Sequence, residues 1–453
     1  MKKALIYTTA LVALGSASVA HAGGDAVAVA PKKAATKKAA NKDTKTKKAT
    51  KKGEHAYAAK SSLASAGGLA VTVGGELDSS IASVNGDDTV KLNGTNKETV
   101  VYKGGEFKKA QNIIITNDSK INVKAEGKTD TGLTYGGVVE LQADVSDSKD
   151  NGGVNAEKTY IFLDSSAGKV EFGATEGAAQ RLEVNAGSVA TISGGVGHES
   201  NLDYYVPLSG FITKAQTALD FIGTKAENAN KIAYYSPKVE GFQAGLSYTP
   251  DSGDAGTATA TSGDNGGFFN FKNIFTGAVK YANEFDGVGV EVSIGGEFGS
   301  AEDLNNTGAG ATLANYTNKS AFTVDNFFGY DATEFGGGFD ITSVKDQEDL
   351  QAFNGGLKVS YEGFSLAGSY TDLGKTGDLK DTSNRTFKAN GSIYSVGAGY
   401  SQKDFALSAG YVASELYKNE FTNISVGADY KLAPGFVPYA EVNIFDAQYD
   451  KKA

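Results

Sequence analysis

The stretch Gly287–Phe298, GVGVEVSIGGEF, decides the fold. Val288, Val290, Val292, Ile294 and Phe298 fall on one face, and Gly289, Glu291, Ser293, Gly295 and Glu297 on the other. Side chains alternate between faces only in an extended strand, so a period of two reads as a β-strand. The pattern returns at Gly241–Thr249, Leu357–Glu362, Phe364–Tyr370, Ser392–Ser401 and Ile424–Lys431. Each time one face is apolar or aromatic and the other is polar, charged or glycine. Repeated along a large exported chain, this is the code of an all-β, transmembrane antiparallel β-barrel, apolar outside and wet inside.

Composition supports that reading. The 453 residues include 58 Gly, 22 Tyr and 24 Phe but only 6 Pro, 1 Met, no Trp and no Cys. Without cysteine there are no disulfides, thiolate metal sites or thiol nucleophiles. A closed barrel needs no such staples, because its backbone ladder satisfies itself. No dense, regularly spaced set of oxygen ligands appears either, so neither a metal nor a cofactor is expected.

Met1–Ala22 reads as a signal peptide. Lys2 and Lys3 are its basic start, Ala4–Val19 its apolar stretch and Ala20-His21-Ala22 its small-x-small end. Beyond it no run of ~18 apolar residues occurs, so no transmembrane helix is expected. Residues 23–68 are low in complexity. Within 23–60, eleven Lys stand against Asp25, Asp43 and Glu54, giving +8. Residues 61–453 hold 30 basic and 50 acidic side chains, a net −20. A basic, Lys/Ala-rich periplasmic extension, disordered by its like charges, thus precedes an acidic body at 69–453. Two readings of the extension stand: a solvated spacer, or a tether that residues 31–52 make to a polyanionic envelope polymer. Nucleic acid is not a plausible partner for an exported chain.

The alternation gives fifteen strands between Leu69 and Phe445. Several are separated by tight turns, as at Ser165–Gly168 and Pro237–Gly241, and others by long polar stretches, as at Ala174–Asn230 and Ser300–Leu350. Phe322–Thr342 is either a further strand or loop. Short turns on one rim and long loops on the other are the asymmetry of outer-membrane barrels.

Five stretches in consecutive order resemble the general porins of Gram-negative bacteria, alphaproteobacterial ones above all. They are Leu69–Ser79, Asn117–Asp144 (NDSKINVKAEGKTDTGLTYGGVVELQAD), Thr159–Ala178 (TYIFLDSSAGKVEFGATEGA), Lys231–Pro250 (KIAYYSPKVEGFQAGLSYTP) and Tyr430–Phe445. The resemblance implies a barrel of about 16 strands in the outer membrane lipid, usually a homotrimer, whose third loop folds inward and narrows the pore. Here that loop is about residues 176–230. It further implies passage of ions and small hydrophilic solutes. Three features depart from the family. Family constrictions use clustered arginines, yet this chain has only Arg181 and Arg385. The aromatic belts must be Tyr and Phe. Finally, the family closes on a strand ending in Phe, whereas this chain ends DAQYDKKA, eight residues past Phe445. Either Tyr430–Phe445 contains the penultimate strand and the closing one is absent, which agrees with a count of fifteen, or Phe436–Phe445 is last and carries a charged tail.

Charge points to a pore. Lys120, Lys124 and Lys128 share a face opposite Ile121, Val123 and Ala125. On the lipid side each would cost ~2–4 kcal/mol near mid-membrane, so the lysines are expected to line the lumen. The loop carries Glu176, Glu183, Glu199, Asp203 and Asp220 together with Arg181. A basic wall facing an acidic loop would set a transverse field across the narrowing and, with the acidic body, a weak cation preference. An enzyme fits poorly. The only histidines past the leader are His55, in the extension, and His198, in the loop; Glu199 and Ser200 stand beside His198, but adjacency in sequence is not triad geometry. The other reading is a structural barrel whose basic extension ties the outer membrane to the cell wall.

Overall fold

The computed structural model describes residues 5–17, 61–66, 69–86, 113–143, 155–189, 229–252, 271–301, 344–381, 383–384, 386–389, 391–416 and 419–449. After two N-terminal strands, β1 (Leu5–Ala17) and β2 (Ser61–Ala66), the wall begins with β3 (Leu69–Gly86), β4 (Ile113–Lys128), β5 (Thr134–Gln142), β6 (Asn155–Ser165) and β7 (Gly168–Ala174). It continues through β8 (Asn230–Tyr235), β9 (Phe242–Asp251), β10 (Phe271–Phe285) and β11 (Val288–Ala301). The second half is β12 (Leu350–Tyr361), β13 (Phe364–Asp372), β14 (Ser392–Gln402), β15 (Phe405–Leu416), β16 (Asn419–Tyr430) and β17 (Phe436–Tyr449). Strands β3 to β17 match the fifteen expected segments one for one. The main boundary differences are at β3, which runs to Gly86 rather than Ser79, at β4, which starts at Ile113 rather than Lys120, and at β17, which runs past Phe445.

Each wall strand pairs antiparallel with the next, from β3–β4 to β16–β17. With an odd count, β3 and β17 run the same way and cannot form an antiparallel pair. β1 fills the seat between them. It pairs antiparallel with β17 from Leu5↔Ala447 to Ala17↔Phe436, and with β3 from Tyr7↔Gly86 to Ser16↔Asp78. Lower on the same edge of β3 lies β2. In the full, unprocessed chain the segment read as a leader thus occupies the sixteenth position of this ring. Phe322–Thr342 lies outside the described residues.

The rims differ as the spacing requires. On one, the hairpins turn through 129–133, 166–167, 236–241, 286–287, 362–363, 403–404 and 431–435. Asp286–Gly287 and Glu362–Gly363 are two-residue turns with positive φ at both positions (49° and 86°; 44° and 91°). That backbone matches the twist of a hairpin, which explains a glycine at the second position of each. On the other rim most connections are long, 175–229 and 302–349 the longest, and only 417–418, between β15 and β16, is short.

Burial is inverted relative to a soluble fold. Ile294, Leu246 and Phe364 are 68%, 65% and 62% exposed, while Ser293 and Ser247 beside them are 2% and 6% exposed. Large apolar side chains thus point outward and small polar ones inward, which is stable only in lipid. Cross-strand aromatic pairs ring the outer face: Phe242–Tyr281 (4.6 Å) and Phe364–Tyr400 (4.5 Å) on the turn side, Tyr248–Phe275 and Tyr370–Tyr394 (both 4.8 Å) on the loop side. Phe242 and Tyr248, or Phe364 and Tyr370, stand six residues apart on one strand, ~20 Å at ~3.3 Å per residue. These are the two belts expected at the edges of an apolar band, built from Tyr and Phe alone. On β3–β6 the described outward face is aliphatic instead, with Leu77, Ile81, Ile115, Ile121, Ile161 and Leu163 and one aromatic, Tyr135.

Candidate functional site

After β7 the chain turns into the barrel. Thr175–Val189 lies against the inner wall, first as the short helix α1 (Ala178–Leu182), then as a 3-10 turn (Ala186–Val189). α1 packs on β8–β11, and the 3-10 turn on β13, β14 and β15. Ala178, Ala179, Leu182, Val184, Ala186 and Val189 are buried there. The start of the expected inward loop is therefore in place; residues 190–228 lie outside the described residues.

A row of hydroxyls on the wall holds this segment. Ser247 Oγ accepts from the Ala178 amide at 3.1 Å, Ser293 Oγ from Val184 at 2.8 Å and Ser395 Oγ from Ala186 at 3.1 Å. The first of these caps α1, whose own N-cap residue, Gly177, has no side chain to do so. Asn354 donates to Glu183 Oε1 and Lys358 Nζ to the Ser188 carbonyl, both at 2.9 Å. Glycine makes room for the backbone: a Cβ at Gly356 would collide with the Val184 carbonyl, and one at Gly397 would lie 2.9 Å from the Ala186 carbonyl.

Charges join the stem of the loop to the wall. Arg181 Nη1 donates to Glu171 Oε2 at 2.6 Å, Nη2 to Thr175 Oγ1 at 2.9 Å and Nε to Glu176 Oε2 at 3.4 Å. Its guanidinium lies 4.9 Å from the centre of the Tyr235 ring. Glu171 has a fully buried side chain and also meets Lys169 at 2.6 Å. Glu176 accepts from Lys158 at 2.7 Å. Burial pushes the Glu176 carboxyl up, but Lys158 and Arg181 outweigh it and hold the group below the usual carboxylate range. Where the loop leaves and rejoins the wall, Lys231 Nζ donates to the carbonyls of Thr175 and Ala229.

Of the expected site residues, Lys120, Lys124 and Lys128 share the inward face of β4, in register with Gln142, Val138 and Thr134. Two of them do not stand as bare cations: Lys120 pairs with Glu157 at 3.1 Å, and Lys124 with Glu126 at 2.5 Å. Lys124 also lies over the inward ring of Phe162, 5.2 Å from its centre. Lys128 ends β4 at the turn rim, away from the loop segment. Glu176, Arg181 and Glu183 are brought to the wall. Glu199, Asp203 and Asp220 lie outside the described residues, as do His55 and His198. The sequence reading missed Lys158, Glu171, Lys231, the three serines and Lys358. One signal was available: Gly245-Leu246-Ser247, Ser293-Ile294-Gly295 and Ser395-Val396-Gly397 each put a serine and a glycine two apart on the inward face, where a backbone can come close.

The profile of the Gram-negative porin family matches residues 55–448. An uncharacterized protein of Rickettsia bellii is 31% identical over 323 residues, 64% of this chain and 70% of that one. Uncharacterized protein RC0098 of Rickettsia conorii is 26% identical over 419 residues, 80% of this chain and 87% of that one. Among solved structures, an anion-selective porin from Comamonas acidovorans is 14% identical, covering 74% of this chain and 92% of that one with a TM-score of 0.42. Salmonella typhi OmpF in complex with daunomycin is 14% identical, covering 84% and 98% with a TM-score of 0.47.

Proposed function

This chain belongs to the Gram-negative porin family, and from that premise we propose that it forms a water-filled channel for passive diffusion of ions and small hydrophilic solutes. Family and fold make it an outer-membrane barrel. The observation that carries the channel reading is the segment Thr175–Val189, seated inside the ring on serines and glycines of β9, β11, β12 and β14. A barrel with a purely structural task has no use for a loop laid along its lumen; a pore that must sort solutes by size does.

The ion preference we propose is weakly cationic. The acidic body supports the sign, at −20 over residues 61–453. Pairing limits the size: Lys120, Lys124, Lys158, Lys169, Arg181, Lys280 and Lys358 all meet a carboxylate across the lumen face. Neutralised pairs order water but give little net ring charge. Purified full-length protein in a planar bilayer under a salt gradient tests both parts. A reversal potential slightly on the cation side supports the reading; no conductance from a folded barrel, or an anion-side potential, counts against it.

A homotrimer is proposed with its contact face on β3–β6, where the aromatic belts give way to aliphatic side chains. A cysteine at Ile161 should cross-link copies, and one at Leu246, on the belted side, should not. Residues 1–22 are proposed as the leader and residues 23–68 as a periplasmic extension. The +8 carried by residues 23–60 keeps the second reading in play, an envelope tether at residues 31–52 on a working channel. Deleting Pro31–Lys52 should leave conductance intact and release the envelope polymer.

A further inference from the structure

We propose that Arg181 is the positioning residue that turns the third loop into the lumen, and that its grip on the wall sets the bore of the channel. The inference rests on the channel reading and goes further, to the side chain on which the narrowing depends. A strand leaving a barrel at the rim points along the barrel axis, away from the membrane. To run back along the inner wall, the chain must reverse within a few residues of Ala174, the end of β7. Arg181 stands at that reversal. Its three donor groups reach back to Thr175, Glu176 and, on the inward face of β7, Glu171.

The partners explain why an arginine stands here. Glu171 is wholly buried. A buried carboxylate is costly unless it is paired, and breaking such a pair from one side is more costly than never making it. Lys169 meets one carboxylate oxygen and Arg181 the other. The planar fork reaches three acceptors at once while its face lies on the Tyr235 ring of β8, which a lysine ammonium cannot reproduce. Through Glu176 the network extends to Lys158 on β6. Three neighbouring strands and the loop stem thus share one guanidinium. Lys231 closes the same stem by binding the carbonyls of Thr175 and Ala229, the outgoing and returning ends of the loop. Ser247 meets Ala178 at the turn itself, whereas Ser293 and Ser395 meet Val184 and Ala186, beyond Arg181, and can engage only after the chain has turned inward.

The test uses full-length protein in planar bilayers and in liposomes challenged with sugars of increasing size, comparing wild type with Arg181→Gln and Arg181→Lys. The expected result for Arg181→Gln is larger conductance, open-channel flicker and loss of the wild-type sugar cut-off. Arg181→Lys, with the charge but not the fork, falls between. Because the chain has no cysteine, docking can be restored covalently. Cysteines at Ala179 and Gly295 would place Cβ atoms about 3.4 Å apart, close to the ~3.5–4.5 Å of a disulfide. Oxidised in the Arg181→Gln background, this pair should return the wild-type bore, and reduction should abolish the rescue. A wild-type bore in Arg181→Gln, or no rescue by the disulfide, overturns the proposal. If Arg181→Gln fails to assemble, a wild-type sugar cut-off in Arg181→Lys overturns it equally. A silent wild-type protein would instead sink the channel reading.

Discussion

Replacing Ser247, Ser293 and Ser395 together by alanine should loosen the lumen segment without unfolding the barrel. Each hydroxyl accepts one backbone amide of that segment, at 3.1, 2.8 and 3.1 Å. The three donors, Ala178, Val184 and Ala186, are at most 1% exposed, so water inside the pore cannot readily take over. An orphaned buried amide costs ~1–3 kcal/mol. The serines stand two and three strands apart on the ring, at ~4.8 Å per strand, far enough for their effects to add. Even at ~1 kcal/mol each, the total of about 3 kcal/mol shifts the docked-to-undocked ratio by more than 100-fold. Ser247 and Ser395 also meet Thr276 and Ser369 on neighbouring strands, but none of the three hydroxyls belongs to the backbone ladder, so heat-modifiable mobility of the folded barrel should be kept. Single-channel recordings should show added open-state noise, and limited proteolysis should cut between Glu176 and Val189, where wild type is protected. A triple variant with wild-type noise and wild-type protection would refute the argument that these hydroxyls seat the loop.

Three further outcomes follow. Ile294→Lys places a charge on the exposed lipid face of β11 and should cost ~2–4 kcal/mol in urea unfolding from lipid vesicles; a negligible change would contradict the assignment of faces. The depressed pKa of Glu176 fixes the sign of an acid effect. Its share of loop docking is complete above the ordinary glutamate pKa of ~4.3 and is lost as pH falls through the lower folded value, so open-channel noise should stay flat from neutrality to about pH 5 and rise only below about pH 4. A rise between pH 6 and 7 would show that another group controls the loop. Finally, intact mass of protein taken from outer membranes should correspond to a chain starting at Gly23, after Ala20-His21-Ala22. A chain starting at Met1 would refute the leader reading and keep β1 as the wall's sixteenth strand.

The wall was legible because its code is local. In Gly287–Phe298 every second residue declares its face, and the same rule recovers all fifteen strands and both kinds of rim. Boundaries were less legible: Ile113–Ser119, seven residues ahead of the expected start of β4, reads IIITNDS and breaks the alternation, so only pairing with β3 identifies it as strand. The seat filled by β1 was invisible for the opposite reason. Leu5–Ala17 is apolar on both faces, which suits a leader as well as a strand, and only the parity of the ring makes room for it. Within the pore, the sequence offered charges but not their partners. Lys120 and Lys124 read as a basic wall because they share a face, yet each meets a carboxylate, one from β6 and one two residues along β4. Arg181 reads in the sequence only as one charge among several on the loop. Its importance comes from Glu171, ten residues earlier on another element, and from Tyr235, more than fifty residues later. A strand pattern states which way a side chain points, but only closure of the ring states what it meets. The loop-seating residues of this barrel are therefore of two kinds: small side chains, the serines and glycines two apart on the inward face, and the charged stem around Arg181.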